Sequence, residues 1–167
     1  LNKNNYFEEI VIIHRRIKVE THDAINNSNK IYVPVNDVIE IMNIKARFIS
    51  KDGKITELPK ESIKEIENLE NRGNFKIFAI EGAEIGGEIE YFYTLRSKYD
   101  AYKTVYIQDN IPKTNVEVIY SFPSQIEYLI KSYNGFPEFV TSTDSSGTTY
   151  MKAKADYIPA LSDERFS

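Results

Sequence analysis

The feature that most constrains this chain is an alternation of apolar and polar residues with a period of two. Over the first long segment, five apolar residues share one parity and would lie on one face of a strand: Phe7, Val11, Ile13, Ile17 and Val19. The other parity carries most of the charge between Glu8 and Glu20, although both faces are interrupted. Such alternation is typical of a strand that is buried on one face only.

Short segments of the same kind recur to the end of the chain, with turn residues between them. They span residues 31–35, 41–50, 54–58, 75–80, 88–96, 102–108, 115–122, 126–133, 138–143 and 148–157. The sharpest turn signal is Asp52-Gly53, a pair that tolerates the positive φ angles of a type I′ hairpin turn. About ten short strands with regular turns predict an all-β fold, a sandwich of two sheets.

Only one segment has helical spacing, and we predict one short helix near residues 60–70. Pro59, Glu61 and Ser62 suit a helix start, and Ile63, Ile66 and Leu69 recur at helical intervals. An irregular strand over residues 62–69 is the alternative. A parallel sheet would need several helical crossovers, so a single helix favours antiparallel pairing.

The domain organisation follows from length and from the loss of alternation near the end. A chain of 167 residues suits one domain, which we place at residues 1–157. Residues 158–167 lose the alternation and are interpreted as an extended linker. The chain opens at Leu1 rather than Met, which suggests a trimmed leader or a start inside a longer gene.

Composition narrows the classes of function. The chain has no Cys, which removes disulfides, thiolate zinc sites and Cys nucleophiles. A net charge of −4 argues against a nucleic-acid partner. The longest apolar run, residues 10–13, is too short to cross a bilayer. We expect no cofactor and no metal.

Three groups of candidate catalytic residues each have a simpler structural interpretation. His14 and His22 would lie about 27 Å apart on one continuous strand, too far to share a metal ion. Glu88 and Glu90 would share a strand face, and a charged strand face that discourages edge pairing is the simpler interpretation. The loop 145–147 lacks the G-x-S-x-G pattern of a serine nucleophile. The glycines at 82, 86 and 87 match no phosphate-binding fingerprint, so we interpret them as turn residues.

Aromatic residues are the most promising binding feature, since the chain has 12 Tyr, 9 Phe and no Trp. Exposed rings can stack on sugars or peptide side chains, although Tyr and Phe also fill cores. The candidate ligand-stacking residues are Tyr102, Tyr106, Tyr128 and Tyr133.

Several motifs in order resemble a known family. The hairpin Lys45–Ile55, the turn and strand Gly82–Tyr91, the segment Tyr106–Pro112 and the strand end Tyr120–Pro123 are similar to that family's signatures. The ending Ile158–Leu161 resembles its connector. The family is the uncharacterised β-sandwich domain found N-terminal to transglutaminase-like domains in exported bacterial proteins.

The resemblance implies an immunoglobulin-like sandwich whose partner is a neighbouring transglutaminase-like domain. In that neighbour a Cys-His-Asp triad does the chemistry, and none of its residues can be placed on a chain without Cys. The implied role is that of a non-catalytic accessory or interaction domain, located outside the cytoplasm in the periplasm, on the cell surface or secreted. The alternatives are a stand-alone glycan- or peptide-binding module that uses surface Tyr and Phe, and a hydrolase that uses Ser or carboxylates.

Overall fold

The computed structural model describes residues 7–67, 69 and 73–161, and within them the chain is all-β, as predicted. The strands are β1 (Glu8–Lys18), β2 (Lys30–Pro34), β3 (Val38–Ile49), β4 (Ile55–Glu57), β5 (Lys64–Ile66), β6 (Phe75–Ala79), β7 (Glu88–Lys98), β8 (Lys113–Pro123), β9 (Val140–Thr143) and β10 (Thr148–Ile158). One α-helix, α1 (His22–Ser28), follows β1. Every strand pair among the described residues is antiparallel.

The chain forms two compact units, Leu1–Tyr102 and Lys103–Ser167, here called unit 1 and unit 2. Unit 1 contains a four-stranded sheet in the order β1-β7-β3-β4 and a three-stranded sheet in the order β2-β6-β5. Unit 2 contains a three-stranded sheet in the order β8-β10-β9. The described residues therefore form three sheets where two were predicted, and the immunoglobulin-like topology stays a prediction.

The core of unit 1 lies between its two sheets. Val33 and Phe78 of the smaller sheet and Ile89 of the larger one are fully buried in a single cluster. Val11 and Ile17 pack against this cluster from β1, which confirms the inward face that the alternation predicts. Burying apolar side chains contributes about 25 cal/mol for each Å² removed from water, so this cluster holds the two sheets together.

The Asp52-Gly53 hairpin is confirmed, but its turn differs from the predicted type. Of the two turn residues, Asp52 and Gly53, only Gly53 has a positive φ, +86°. The Gly53 N–H donates to Ser50 O at 2.9 Å, and the Ser50 N–H donates to Lys54 O at 2.9 Å. These bonds define a three-residue loop that ends in a glycine bulge, whereas type I′ needs positive φ at both central residues.

The helix predicted near residues 60–70 is wrong. Lys60–Ser62 forms a single 3₁₀ turn, and β5 then pairs with β6, placing Ile66 opposite Phe75. An added strand satisfies the backbone groups of β6 and lets Glu65 form an ion pair with Lys76. The irregular-strand alternative is closer to the structure, and residues 68 and 70–72 lie outside the described part of the chain.

The helix that does form was missed because it is short and polar. Its N-cap is Thr21, whose Oγ1 accepts a hydrogen bond from the Ala24 N–H at 3.0 Å. Ser and Thr are favoured at this position because they satisfy a backbone donor that lacks a helical partner. Ala24 and Ile25 pack against the core of unit 1 and fix the helix there.

Two segments predicted as strands in the second half do not pair in a sheet. Residues 103–109 and 126–133 are irregular, although both lie in unit 2. The first is held by the Lys113 ammonium, which donates to Ile107 O. Alternation alone cannot tell an extended segment from a strand with a ladder partner.

The end of the described chain belongs to unit 2. Ile158 is buried at the end of β10, and the Leu161 N–H donates to Asp109 O at 2.8 Å. Gln108 Nε2 donates to Pro159 O at 2.9 Å. Residues 158–161, which we assigned to the linker, are thus tied to unit 2, and residues 162–167 lie outside the described part. Whether the chain is one domain over residues 1–157 stays a prediction.

Among the residues that the structure describes, no helix is long and apolar enough to cross a membrane.

Candidate functional site

Five aromatic residues of unit 2 form a cluster on one face of its sheet: Tyr120, Phe122, Tyr128, Phe136 and Phe139. The Phe122 and Tyr128 rings lie 4.6 Å apart between centroids. Tyr120 meets Phe139 edge-on at 5.8 Å, and Phe139 also lies 6.3 Å from Phe136. The irregular segment around Tyr128 therefore covers this face of β8, because its ring needs an apolar partner.

A shallow groove of about 530 Å³ opens beside this aromatic cluster. Its floor includes Phe122 and Met151 of the sheet, and Thr141 of β9 lies at one side. Leu129 also lines it and leaves 97% of its surface in water. Glu127 is the one carboxylate among its described lining residues. An exposed apolar side chain beside a concave surface is typical of an interaction site.

The four tyrosines predicted to stack on ligands divide into two kinds. Tyr102 and Tyr106 are 96% and 85% exposed, so both rings are accessible. Tyr133 is 66% exposed and carries Lys131 Nζ at 5.2 Å from its ring centroid. Tyr128 is half-buried against Phe122 and lines the groove. Their role in binding stays a prediction.

The two histidines lie in different elements of unit 1, so the assumption that both lie on one continuous strand is wrong. His14 is in β1, and His22 begins α1. His14 Nε2 lies 2.9 Å from Glu90 Oε1, and Arg47 Nε lies 2.5 Å from Glu90 Oε2. The described residues contain no group of three or more His, Cys, Asp or Glu side chains that could hold a metal ion.

The Glu90 carboxylate contacts side chains of both neighbouring strands, His14 of β1 and Arg47 of β3. Arg16 of β1 and Arg47 of β3 are its register partners across β7. The hydrogen bond from Arg47, and then that from His14, holds the pKa of Glu90 below its usual range, against a smaller effect of burial. An acid–base catalyst at neutral pH needs its pKa moved in the opposite direction. The network is therefore suited to joining three strands.

Glu88 does not pair with Glu90 in the manner of a two-carboxylate active site. Its Oε2 accepts a hydrogen bond from Arg16 Nε at 2.5 Å. The two carboxylates follow one face of β7, as the alternation predicts, and each has its own cation. Charges of opposite sign on adjacent strands stabilise a sheet face.

The serine-rich loop is a tight turn built on Asp144. Asp144 Oδ1 accepts from the Ser146 N–H, the Ser146 hydroxyl and the Thr148 N–H at 2.9, 2.7 and 3.0 Å. The hydroxyl of Ser146 is the main reason that the pKa of Asp144 is lowered. This loop closes the β9–β10 hairpin, as turn chemistry predicts.

The glycine-rich turn at residues 82–87 also has a structural role. The Gly86 N–H donates to Val19 O at 2.7 Å with φ of +91°. A Cβ at Gly87 would lie 2.3 Å from the Phe48 ring, so only glycine fits there. The turn therefore allows the backbone that leads into β7 to lie directly against the buried ring of Phe48.

The sequence profile of a family described as a domain of unknown function with a solved structure, DUF3857, matches residues 8–161. The chain belongs to the DUF3857 family. The profile spans both units of the structure, and no curated protein matches the sequence. Family membership assigns no activity, because the family itself is defined without one.

The DUF3857 chain is also similar to a solved structure, a putative protease from Parabacteroides distasonis ATCC 8503. The TM-score is 0.70 at 19% sequence identity, and the likeness covers 95% of this chain. It covers 34% of the other chain, so the fold shared here spans about one third of that protein. At this identity the likeness shows the fold alone.

Sequence reasoning missed the groove because it depends on residues 126–129, which were assigned to a strand. The one signal that could have found it is the pair Ile126 and Leu129 around Glu127 and Tyr128, with Pro123 just before them. A proline at the end of a strand favours a segment that leaves the sheet.

Proposed function

We propose that this DUF3857 chain is a non-catalytic accessory module of a longer exported protein with a protease-like or transglutaminase-like catalytic domain. The observation that carries the proposal is the likeness to the Parabacteroides distasonis protein. There the fold accounts for about one third of a chain named as a putative protease. The remaining two thirds leave room for a separate catalytic domain, N-terminal to which this module would lie.

The contacts of the candidate catalytic groups support the same role. Glu90 is saturated by Arg47 and His14, and Glu88 is engaged by Arg16. Asp144 Oδ1 accepts hydrogen bonds from the Ser146 and Thr148 N–H groups of its own turn. Groups that are committed to structural hydrogen bonds are poor nucleophiles or bases, since freeing them has a cost. The module would act by packing against the catalytic domain or by positioning its substrate, outside the cytoplasm.

Activity assays on the purified chain test the non-catalytic part. We expect no release of label from fluorescent casein and no incorporation of a labelled amine, at pH values from 5 to 9. The Glu90→Gln and Asp144→Asn variants are matched controls for the two carboxylates. Turnover that follows the chain through purification and falls in either variant would overturn the proposal.

Deletion in the full-length gene product tests the accessory part. Removing residues 8–161 should lower kcat/KM for a protein substrate by about tenfold or more, because substrate positioning is lost. Activity on a small peptide should change less. Equal kcat/KM for the protein substrate before and after deletion, with the active site intact by titration, would contradict the role.

A stand-alone glycan- or peptide-binding module is the second candidate, favoured by the exposed rings of Tyr102 and Tyr106. Calorimetry with chitohexaose and with cellohexaose tests it. Tyr106→Ala should weaken binding about fivefold, since one aromatic stacking contact contributes about 1 kcal/mol. The double variant Tyr102→Ala and Tyr106→Ala with unchanged heats would exclude these two rings.

A further inference from the structure

The free edge of unit 2 has the features of a peptide-binding site. We propose that β9 binds an extended peptide as an additional strand, with an apolar side chain in the neighbouring groove and a basic side chain at Glu127. The inference deepens the proposed function and rests on it, because it names the surface through which an interaction module would act. Strand addition supplies affinity from main-chain hydrogen bonds and specificity from pockets for alternate side chains.

The first observation is that β9 is an edge strand with no charge or proline among its four residues. β9 pairs with β10 on one side, and no described strand lies on its other side. All four of its residues are exposed, and none is charged or proline. Natural edge strands are commonly guarded by short length, charges, proline or bulges, and of these β9 has only its short length. The β9 edge is therefore open to another strand.

The backbone groups that face the open edge can be identified from the hairpin. The Asp144 N–H donates to Thr148 O at 3.0 Å, so the backbone groups of this pair point inward, which here means toward β10. In an antiparallel ladder, inward and outward pairs alternate. Ser142 opposite Tyr150 is the next inward pair, and Thr141 and Thr143 thus direct their N–H and C=O groups to the open edge.

The second observation is that the groove lies on the same side of the strand as Thr141. The Thr141 side chain lines the groove, together with Met151 directly opposite it. A strand paired at Thr141 would place every second side chain on this face. One of them would then reach the apolar lining between Met151 and Leu129.

Charge selects the kind of peptide. Glu127 is exposed and has no hydrogen bond or ion pair within the described part of the chain. A Lys or Arg two positions from the apolar anchor lies on the same face of the added strand and can reach it. Placing a carboxylate there instead would set two like charges side by side. The structure thus favours a peptide with an apolar and a basic residue at alternate positions.

The probe is the blocked peptide acetyl-Thr-Leu-Thr-Arg-Thr-Val-amide, titrated into the ¹⁵N-labelled full chain. We expect a Kd of about 0.1–1 mM, typical of a short unstructured ligand, and shifts of the Thr141 and Thr143 amides. The same peptide with Glu in place of Arg should bind about fivefold more weakly, and one with Pro in place of the central Thr about tenfold.

Three variants and one control locate the site. Leu129→Ser should weaken binding about tenfold and Glu127→Gln about threefold, and neither changes the backbone of β9. Thr141→Pro removes one outward N–H and should weaken binding about fivefold. Ser142→Ala is the matched control, because its side chain lies on the opposite face and its backbone faces β10; binding should be unchanged.

Five results would overturn the inference. Four of them are no amide shifts at millimolar peptide, shifts confined to residues away from β9, binding that Ser142→Ala weakens as much as Leu129→Ser does, and dimerisation of the free chain through β9 seen by light scattering. Binding of chitohexaose in the groove with no peptide binding would also overturn it. These results leave the deletion assay of the proposed function unaffected, so the two proposals fail separately.

Discussion

Arg47 Nε lies 2.5 Å from Glu90 Oε2, and the two residues are direct register partners on β3 and β7. The same carboxylate meets His14 from β1, so one side chain joins three neighbouring strands. The side chain of Glu90 retains only 15% exposure, and solvent screens its interactions less than it screens a surface pair.

This network predicts how stability depends on pH. The pKa of Glu90 is lowered in the folded chain, mainly by Arg47, so the stabilisation is fully present above the unfolded pKa of a glutamate and is lost as the pH falls through the folded value. Glu90→Gln should destabilise the chain by about 1 kcal/mol at pH 7, after allowance for the exposed Arg47. Urea unfolding at pH 7, 5 and 3 measures this, and the difference from wild type should shrink below pH 4. Glu88→Gln should cost less, and a difference that stays constant with pH would rule out the carboxylate as its source.

Glycine 87 is predicted to tolerate no side chain. Gly87→Ala would put a Cβ 2.3 Å from the Phe48 ring and 2.8 Å from Ile49 O, and relief of such a clash costs about 2–3 kcal/mol. Gly82→Ala is the control, because open space surrounds it and only its φ of +75° resists, at about 1 kcal/mol. Thermal unfolding compares the two. Equal losses would mean that the Phe48 ring moves aside freely.

The cap of α1 should matter locally more than globally. Thr21→Ala removes the acceptor for the Ala24 N–H and should cost the helix about 1 kcal/mol, whereas Thr21→Ser keeps the acceptor. The Asn29 N–H, which donates to Ile25 O at the helix end, should then exchange with solvent about fivefold faster in the alanine variant. Identical exchange rates in the two variants would show that packing of Ile25 alone holds the helix.

The sequence alone predicts the long strands of this fold and the Asp52-Gly53 hairpin, and it fails on α1 and β5. β1 and β7 each have 11 residues, and their less exposed side chains lie mainly on one parity, so their pattern is strong. β5 has three residues and exists because β6 offers a free edge, which is a property of the assembled sheet. The segment 126–133 alternates like a strand but finds no ladder partner.

Some features of the candidate site could likewise be predicted from the sequence, and others could not. The exposure of Tyr106 could be expected from its place beside turn residues, and the hairpin turn at Asp144 follows from its composition. The groove needs Leu129 and Met151 brought together from distant parts of the chain. Contacts of that kind are set by tertiary packing and not by local spacing.

β1, the longest edge strand of unit 1, has two charged residues, Glu9 and Arg15, on the parity that faces the core. Arg15 shares the parity of Ile13 and Ile17, the inward face of β1, yet it is exposed at the edge strand. A charge on the inward face discourages another strand from adding to an edge. Arg15→Val should therefore raise concentration-dependent association, seen as a rising sedimentation coefficient between low and high protein concentration. Lys18→Val, which changes the same charge on the outward face, should have a smaller effect; equal association in both would point to net charge.

The ties of Pro159 to Gln108 and of Leu161 to Asp109 have a mechanical consequence. They fasten the residues that follow β10 to the segment through which the chain reaches β8. A pull on Leu161 is therefore taken up first by the Asp109 and Gln108 hydrogen bonds, before any load reaches the β8–β10 ladder. In a force-extension experiment, unit 2 should yield in two steps, a small one at this tie and a larger one when the ladder gives way.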